Sequence, residues 1–332
     1  MLTFAPHPKV PSLMLSRRHL RIKALQSLYA FFLTENTDLR LGESVLSSSL
    51  DKLHELLILQ LSLIPEIRDL AKQKLEDAMG KFLPTPEELN PNRRFVDNVF
   101  LIKLEENLDY QKYYEKYKIN WVLDQEIIKK LFFTIRDSKE YLNYLNSDDV
   151  SYAFQADFIH KIFKKFIAGS EMLADFYEDK SIFWAGDYAL SAVLAQKVVN
   201  HLTEDSKPGT PLPTLIKTQN EVDNEDLVFL LELFRKTILH SSEYEALFTP
   251  LAKNWDFERI AIMDTLIIKM AICELLEFPS IPVKVTLDEY IEISKSFSTP
   301  KSSQFINGIL DKLVIQLKEE KKIIKRGRGL KE

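Results

Sequence analysis

The sequence is short of several things. Cys273 is the single cysteine in 332 residues, which excludes an internal disulfide and a cysteine-based zinc cluster and fits a reducing compartment. Eight glycines are few, and leucine, lysine and glutamate crowd the stretches between the prolines, so the predicted class is all-α. No run of 18 apolar residues occurs and no charged-then-apolar signal pattern opens the chain, so a soluble, cytoplasmic protein with no membrane partner is expected. The loop patterns GxxxxGKS/T and GxGxxG are absent, and with them any visible phosphate cradle. Residues 1–34 contain no aspartate or glutamate. They carry Lys9, Arg17, Arg18, Arg21 and Lys23, a local charge of +5 in a chain whose net charge is −5.

A hydrophobic content of 45% can bury a sizeable core in one large or two ordinary domains. Residues 1–13, with three prolines and no periodicity, are expected to form a mobile extension. Ser16 reads as the N-cap of a helix reaching about Leu33, with Leu20, Ala24, Leu28 and Phe31 on its core face. A long helix is predicted from Leu46 to Met79, interrupted at Pro65. Breaks at Pro84-Thr85-Pro86 and Asn90-Pro91-Asn92 precede helices near 93–117, 122–145, 152–177 and 186–203. Residues 207–213 read as a loop or linker. Phe95, Phe158 and Phe229 each stand 26 residues before a tryptophan, at Trp121, Trp184 and Trp255. Duplication of one helical hairpin predicts equivalent tryptophan settings at helix junctions.

The last third holds three further helical patterns. The first is predicted from Asp256 to about Glu277, with Ile260, Met263, Leu266, Ile267, Met270 and Ala271 on one face, and ends before Pro279 and Pro282. The second turns Val285, Tyr290, Ile291 and Phe297 inward and leaves Asp288, Glu289, Glu292 and Lys295 wet. The third opens at Thr299-Pro300, a hydroxyl N-cap followed by proline at the first helical position. It buries Phe305, Ile306, Ile309, Leu310, Leu313 and Leu317. Gly308 lies within that stripe and predicts close approach by another helix, since glycine there costs about 1 kcal/mol against alanine.

Candidate chemistry is sparse. Asp51 with His54, and Asp157 with His160, have the spacing of carboxylate-bridged metal sites, but facing glutamates are not identified and polar surface pairs are the expectation. Cys273 lies in an apolar pattern that predicts a buried, inert thiol, and no base partner marks a nucleophile. Neither a catalytic site, nor a cofactor, nor a metal is expected. Arg17, Arg18 and Arg21 gather on one side of a helix start, where cations oppose the macrodipole. A bound polyanion relieves that conflict, and guanidinium forks suit phosphates and unpaired bases. The tail residues Lys321, Lys322, Lys325, Arg326, Arg328 and Lys331 are read as a frayed, solvated end.

Two separated stretches resemble the NusB family of transcription antitermination factors. One is Ser16-Arg17-Arg18, Arg21 and Ala24-Leu25-Gln26-Ser27-Leu28-Tyr29. The other holds Asn254-Trp255, Arg259, Asp264, Ala271, Glu274-Leu275, Ile281-Pro282-Val283-Lys284-Val285, Asp288-Glu289, Ser294-Lys295 and the run Phe305 to Lys312. Cys273 and Asp288 depart from the family's usual tyrosine and asparagine. The resemblance implies an all-α NusB-type bundle with a large helical insertion. Its expected parts are an extension at 1–13, a first helix at 14–39, an insertion at 40–222, a C-terminal half at 223–318 and a basic tail at 319–332. The family pattern begins at Met14, which leaves two readings of residues 1–13, a disordered extension or a stretch that is not translated.

The same resemblance implies a non-catalytic factor that binds boxA-type single-stranded RNA jointly with the ribosomal small-subunit protein NusE, within the transcription elongation complex and in ribosomal RNA synthesis. Arg17, Arg18 and Arg21 are its implied RNA contacts, with Lys301 and Ser302 added at a helix N-terminus. Tyr29 and Asp264 are the implied partner-facing positions. Competing readings are a protein-interaction scaffold with an idle RNA surface and a NusB-like accessory domain of an RNA methyltransferase. The second needs an α/β domain with a glycine-rich loop, which this chain lacks.

Overall fold

The computed structural model describes residues 15–184, 186–216, 225–252 and 261–330, and every regular element among them is helical. The extension 1–13 and the Asn254-Trp255 pair lie outside the described residues. In chain order the helices are α1 (Arg17–Leu33), α2 (Leu39–Met79), α3 (Pro86–Leu89), α4 (Val99–Glu106), α5 (Leu108–Lys116), α6 (Gln125–Arg136), α7 (Lys139–Leu145) and α8 (Tyr152–Ile162). They continue as α9 (Glu171–Lys180), α10 (Tyr188–His201), α11 (Glu225–Leu239), α12 (Ser241–Phe248), α13 (Ile262–Glu277), α14 (Val283–Phe297) and α15 (Pro300–Glu319). No helix among the described residues is long and apolar enough to cross a membrane. The chain divides into two units, Leu50–Leu215 and the pair Met14–Ser49 with Ile216–Glu332.

The division cuts later than the expected insertion start at residue 40. Helix α2 begins at Leu39 rather than Leu46, and its first turns belong to the terminal unit: Glu43 accepts from Arg235 Nε at 2.6 Å, and a Cβ on Gly42 would stand 2.8 Å from the Phe31 ring and 2.9 Å from that of Phe234. At the other end the boundary falls at 215/216 rather than 222.

Within the terminal unit, α13 is the central helix, packed by α1, α11, α12, α14 and α15. All ten residues from Leu266 to Leu275 are buried, so the expected single apolar face is in fact a helix surrounded on every side. It starts at Ile262, with Ala261 extended before it; the predicted start at Asp256 lies outside the described residues. Three charged side chains, Asp264, Lys269 and Glu274, are buried on it, and each has partners. Lys269 Nζ reaches Ser241 Oγ at 2.9 Å and Glu245 at 2.7 Å; the partner of Glu274 belongs to the site below. Cys273 is fully buried, and burial pushes its thiol up to about 12.

Helix α15 follows its pattern: Thr299 caps Ser302 N–H, Pro300 opens the helix and the six expected apolar residues are buried. Gly308 differs, since a Cβ there would meet no atom within 4 Å. Helix α14 is rotated from the expected face. Thr286, Tyr290, Ile293 and Ser294 are buried while Val285 is 41% exposed, because Thr286 and Tyr290 turn their hydroxyls toward Glu274. The basic tail also differs from a frayed end. Arg326 N–H donates to Pro279 O at 2.9 Å, and Lys325 Nζ donates to Phe278 O at 3.1 Å. A cation thus meets the free carbonyls at the α13 C-terminus, and burial lowers the Lys325 pKa.

In the unit Leu50–Leu215, α2 runs through Pro65 without interruption. Proline removes one backbone hydrogen bond, but Leu61, Leu63, Ile64 and Ile67 are buried around it and their packing outweighs that loss. Three of the predicted long helices are each cut by one polar residue. Asn107 closes α4 and caps Tyr110 N–H in α5, Ser138 caps Tyr141 N–H in α7, and Ser170 caps Leu173 N–H in α9. The 207–213 segment is packed rather than a free linker, with Asn107 Nδ2 donating to Thr210 O at 2.7 Å and Leu108 N–H to Pro208 O at 2.9 Å.

Trp121 and Trp184 are buried at 3-10 turns that lead into α6 and α10. Their indoles both donate to α2, to Ser62 Oγ at 2.8 Å and to Lys52 O at 2.9 Å. The phenylalanine ends of the repeat are not equivalent, since Phe158 is helical and Phe95 precedes its helix. Trp255 lies outside the described residues.

Candidate nucleic-acid interface

The start of α1 is fixed by Ser16, which accepts from His19 N–H while His19 Nδ1 reaches back to Ser16 N–H. This reciprocal cap satisfies two free donors of the first turn and sets the three arginines around the helix. Arg17 is 39% exposed; its Nε donates to Asp226 at 3.1 Å, and its guanidinium lies 4.5 Å from the Phe229 ring centroid. Arg18 is 44% exposed and forks onto Glu289 at 2.8 and 2.9 Å. Arg21 is only 2% exposed and forks onto Glu274 at 2.7 and 2.8 Å. Glu274 also accepts from Thr286 Oγ1 at 2.8 Å and Tyr290 O–H at 3.4 Å.

Burial by itself would lower the Arg21 pKa, but its hydrogen bonds to Glu274 and the charge of that carboxylate overcome this and hold the guanidinium firmly protonated. The Arg18 hydrogen bonds, against the opposing effect of burial, hold the Glu289 carboxyl below its ordinary 4.5.

Two expectations are corrected here. The conflict between these cations and the α1 dipole is relieved by the chain itself, because three guanidinium groups meet the four carboxylates of Glu225, Asp226, Glu274 and Glu289. Arg21 lies inside the fold, so it cannot touch RNA as the molecule stands; it ties α1 to α13.

Three of the remaining candidates, Asp264, Lys301 and Ser302, lie about the start of α15. Lys301 is exposed at the start of α15, whereas Ser302 uses its N–H and hydroxyl on Thr299. Tyr29 is half-buried on α1. Asp264, expected on a partner surface, is 3% exposed and accepts a short hydrogen bond from Ser298 Oγ. Ser298 immediately precedes the Thr299 cap, so Asp264 positions the entry to α15 from within. The carboxylates Glu274 and Glu289 escaped the reading of candidate residues. A signal was available: Glu274 interrupts an apolar run, where a charge requires a buried partner.

The sequence model of the NusB family matches residues 187–314. A transcription antitermination protein NusB from Salinibacter ruber is 38% identical over 119 residues, which cover 36% of this chain and 74% of that protein. The chain belongs to the NusB family. The NusB of Koribacter versatilis is 36% identical over 104 residues, 31% of this chain and 71% of the relative. That of Chloroherpeton thalassium is 37% identical over 102 residues, 31% and 48% respectively. No solved structure matches the chain. The span matched by the NusB model contains Asp226, Asp264, Glu274, Glu289, Lys301 and Ser302 and ends before Ile315; the α1 arginines and Tyr29 lie outside it. The match begins at Asp187, within the stretch read as insertion.

Proposed function

We propose that this NusB-family chain is a non-catalytic transcription antitermination factor that binds boxA-type single-stranded RNA jointly with the ribosomal small-subunit protein NusE. It acts in the cytoplasm, within the transcription elongation complex and in ribosomal RNA synthesis. The relatives named as antitermination proteins support the general role. The observation that carries the RNA reading is the exposure of Arg17 and Arg18 while each is anchored by a carboxylate. A fork held along its Nε edge by Asp226 or Glu289 keeps its plane oriented and leaves Nη1 hydrogens for a phosphate oxygen, so less freedom is lost on binding. Exposed Lys301 adds a further cation, and Arg21 and Asp264 act as supports of these two helix starts. Tyr29 remains the partner-facing candidate.

One observation favours a second reading. Four carboxylates offset the three arginines of the cluster, which suits a protein scaffold whose RNA surface is idle. Fluorescence anisotropy with a boxA-type oligonucleotide at several salt concentrations separates the two. RNA binding that weakens in the Arg17→Ala, Arg18→Ala double variant, with a salt slope lower by about 0.7 per lost phosphate contact, supports the RNA reading. Wild-type binding that is absent, or unchanged in that variant, refutes it.

A further inference from the structure

The unit Leu50–Leu215 is acidic, yet between Phe158 and Ser170 the sequence has Lys161, Lys164 and Lys165 and no acid. This stretch carries a single π-helical turn, Phe163–Ile167, a local widening that displaces side chains from the α-helical register. Beside it lies a surface groove of about 590 Å³ between α6 and the start of α9, lined by Lys130, Phe133, Thr134, Lys165, Phe166 and Met172 among others. No carboxylate lines it. Phe133 is 42% exposed, so its ring is open to a ligand.

Each aromatic ring in the groove has a cation over it. Arg136 lies 4.8 Å from the Phe133 centroid, and Lys165 Nζ lies 5.2 Å from that of Phe166. Lys165 is shared with Glu140 at 2.7 Å and Arg136 with Asp137 at 2.8 Å, whereas Lys130 and Lys164 are exposed. A ring face paired with a mobile cation is the complement of a nucleotide, which offers a base to stack and a phosphate to neutralise. An acidic peptide would satisfy the lysines but leave the ring faces without a flat partner.

We propose that this groove is a second single-stranded RNA site, separate from the α1 start, in which Phe133 and Phe166 stack bases and Lys130 and Lys165 meet phosphates. Such a platform is sequence-tolerant, since every base has a stacking face. It would hold RNA flanking whatever segment the NusB core reads, though it does not depend on that reading.

The test uses the full chain and an oligouridylate of about 12 nucleotides, a length such grooves accommodate, carrying 4-thiouridine and no boxA sequence. Cross-linked peptides are expected to contain Phe133 or Phe166. Phe133→Ala is expected to weaken binding about fivefold or more, the loss of one base stack, with an unchanged melting temperature. Lys130→Gln with Lys165→Gln is expected to lower the salt slope by about 0.7 per phosphate contact. The groove cross-links should persist in the Arg17→Ala, Arg18→Ala variant, which keeps failure at α1 distinct from failure here. Cross-links confined to other surfaces, or unaltered affinity in Phe133→Ala, overturn the proposal. So does binding of a labelled oligoglutamate peptide in the groove when the oligouridylate gives no cross-link there.

Discussion

Arg21 and Glu274 stand 253 positions apart in the chain and form a two-pronged ion pair, at 2.7 and 2.8 Å, from which solvent is excluded. Removing one member leaves the other charged and buried, which typically costs about 3–5 kcal/mol. Arg21→Ala and Glu274→Ala are therefore each expected to lower unfolding stability by about that amount in urea titrations. Arg21→Met combined with Glu274→Leu should cost less than either single change, because no orphaned charge remains. A double variant worse than the sum of the singles would contradict this account.

The Arg18 and Glu289 pair is more exposed and should behave as a modest, pH-dependent contribution. Glu289 is held below its ordinary 4.5, so its contribution is complete above that value and is lost as pH falls through the lowered one. Solvent screening at Arg18 keeps the amount to about 1 kcal/mol or less. Glu289→Gln is expected to lower stability at pH 7 by that amount and to converge with the wild type once pH falls below the lowered Glu289 value, in parallel urea titrations.

Asp264 is expected to act on the fold. Losing its bond with Ser298 Oγ strands a buried polar group, at a cost of about 1–3 kcal/mol. Asp264→Ala should show faster amide hydrogen exchange at residues 298–302 and a lower melting temperature. Unchanged exchange there would return Asp264 to the list of partner contacts.

Gly42 and Gly308 should respond oppositely to alanine. At Gly42 the new methyl meets Phe31 and Phe234, buried rings packed edge to face at 6.0 Å. Overpacking of about 1–3 kcal/mol is expected to exceed the helix-propensity gain of about 1. At Gly308 the space is open, so Gly308→Ala should raise stability by about 1 kcal/mol. Thermal melts of the two variants decide both.

The Cys273 thiol should be silent in the native protein. It is buried, with its pKa pushed up to about 12, and thiolate is the reactive form. A thiol reagent at pH 8 is expected to label nothing within minutes and one site per chain in denaturant. Prompt native labelling would mean that α13 opens readily.

Much of this was legible in the sequence wherever the deciding residues are neighbours. Ser16 with the first helix, and Thr299-Pro300 with the stripe from Phe305 to Leu317, were read correctly because cap and apolar period are local signals. Asn107, Ser138 and Ser170 cut three expected helices, since a small polar residue in an amphipathic run reads equally as surface or as cap. The rotation of α14 and the carboxylate partners of the α1 arginines were not readable. Both depend on Glu274, whose partners Arg21, Thr286 and Tyr290 are brought to it only by the tertiary fold.

The order of synthesis gives the Arg21 and Glu274 pair one more consequence. Apart from the first turns of α2, which meet Phe31, the helices that cover α1 begin at Glu225, and the carboxylate for Arg21 arrives only with residue 274. At about 5–20 residues per second, 253 further residues take on the order of 10–50 s. Throughout that interval the apolar face of Leu20, Ala24, Leu28 and Phe31 has emerged ahead of the surfaces that bury it, while all of Leu50–Leu215 is made in between. Helix α1 thus leaves the ribosome well before it finds its place. A charged, well-capped start that keeps it soluble while it waits is useful before the protein has bound anything at all.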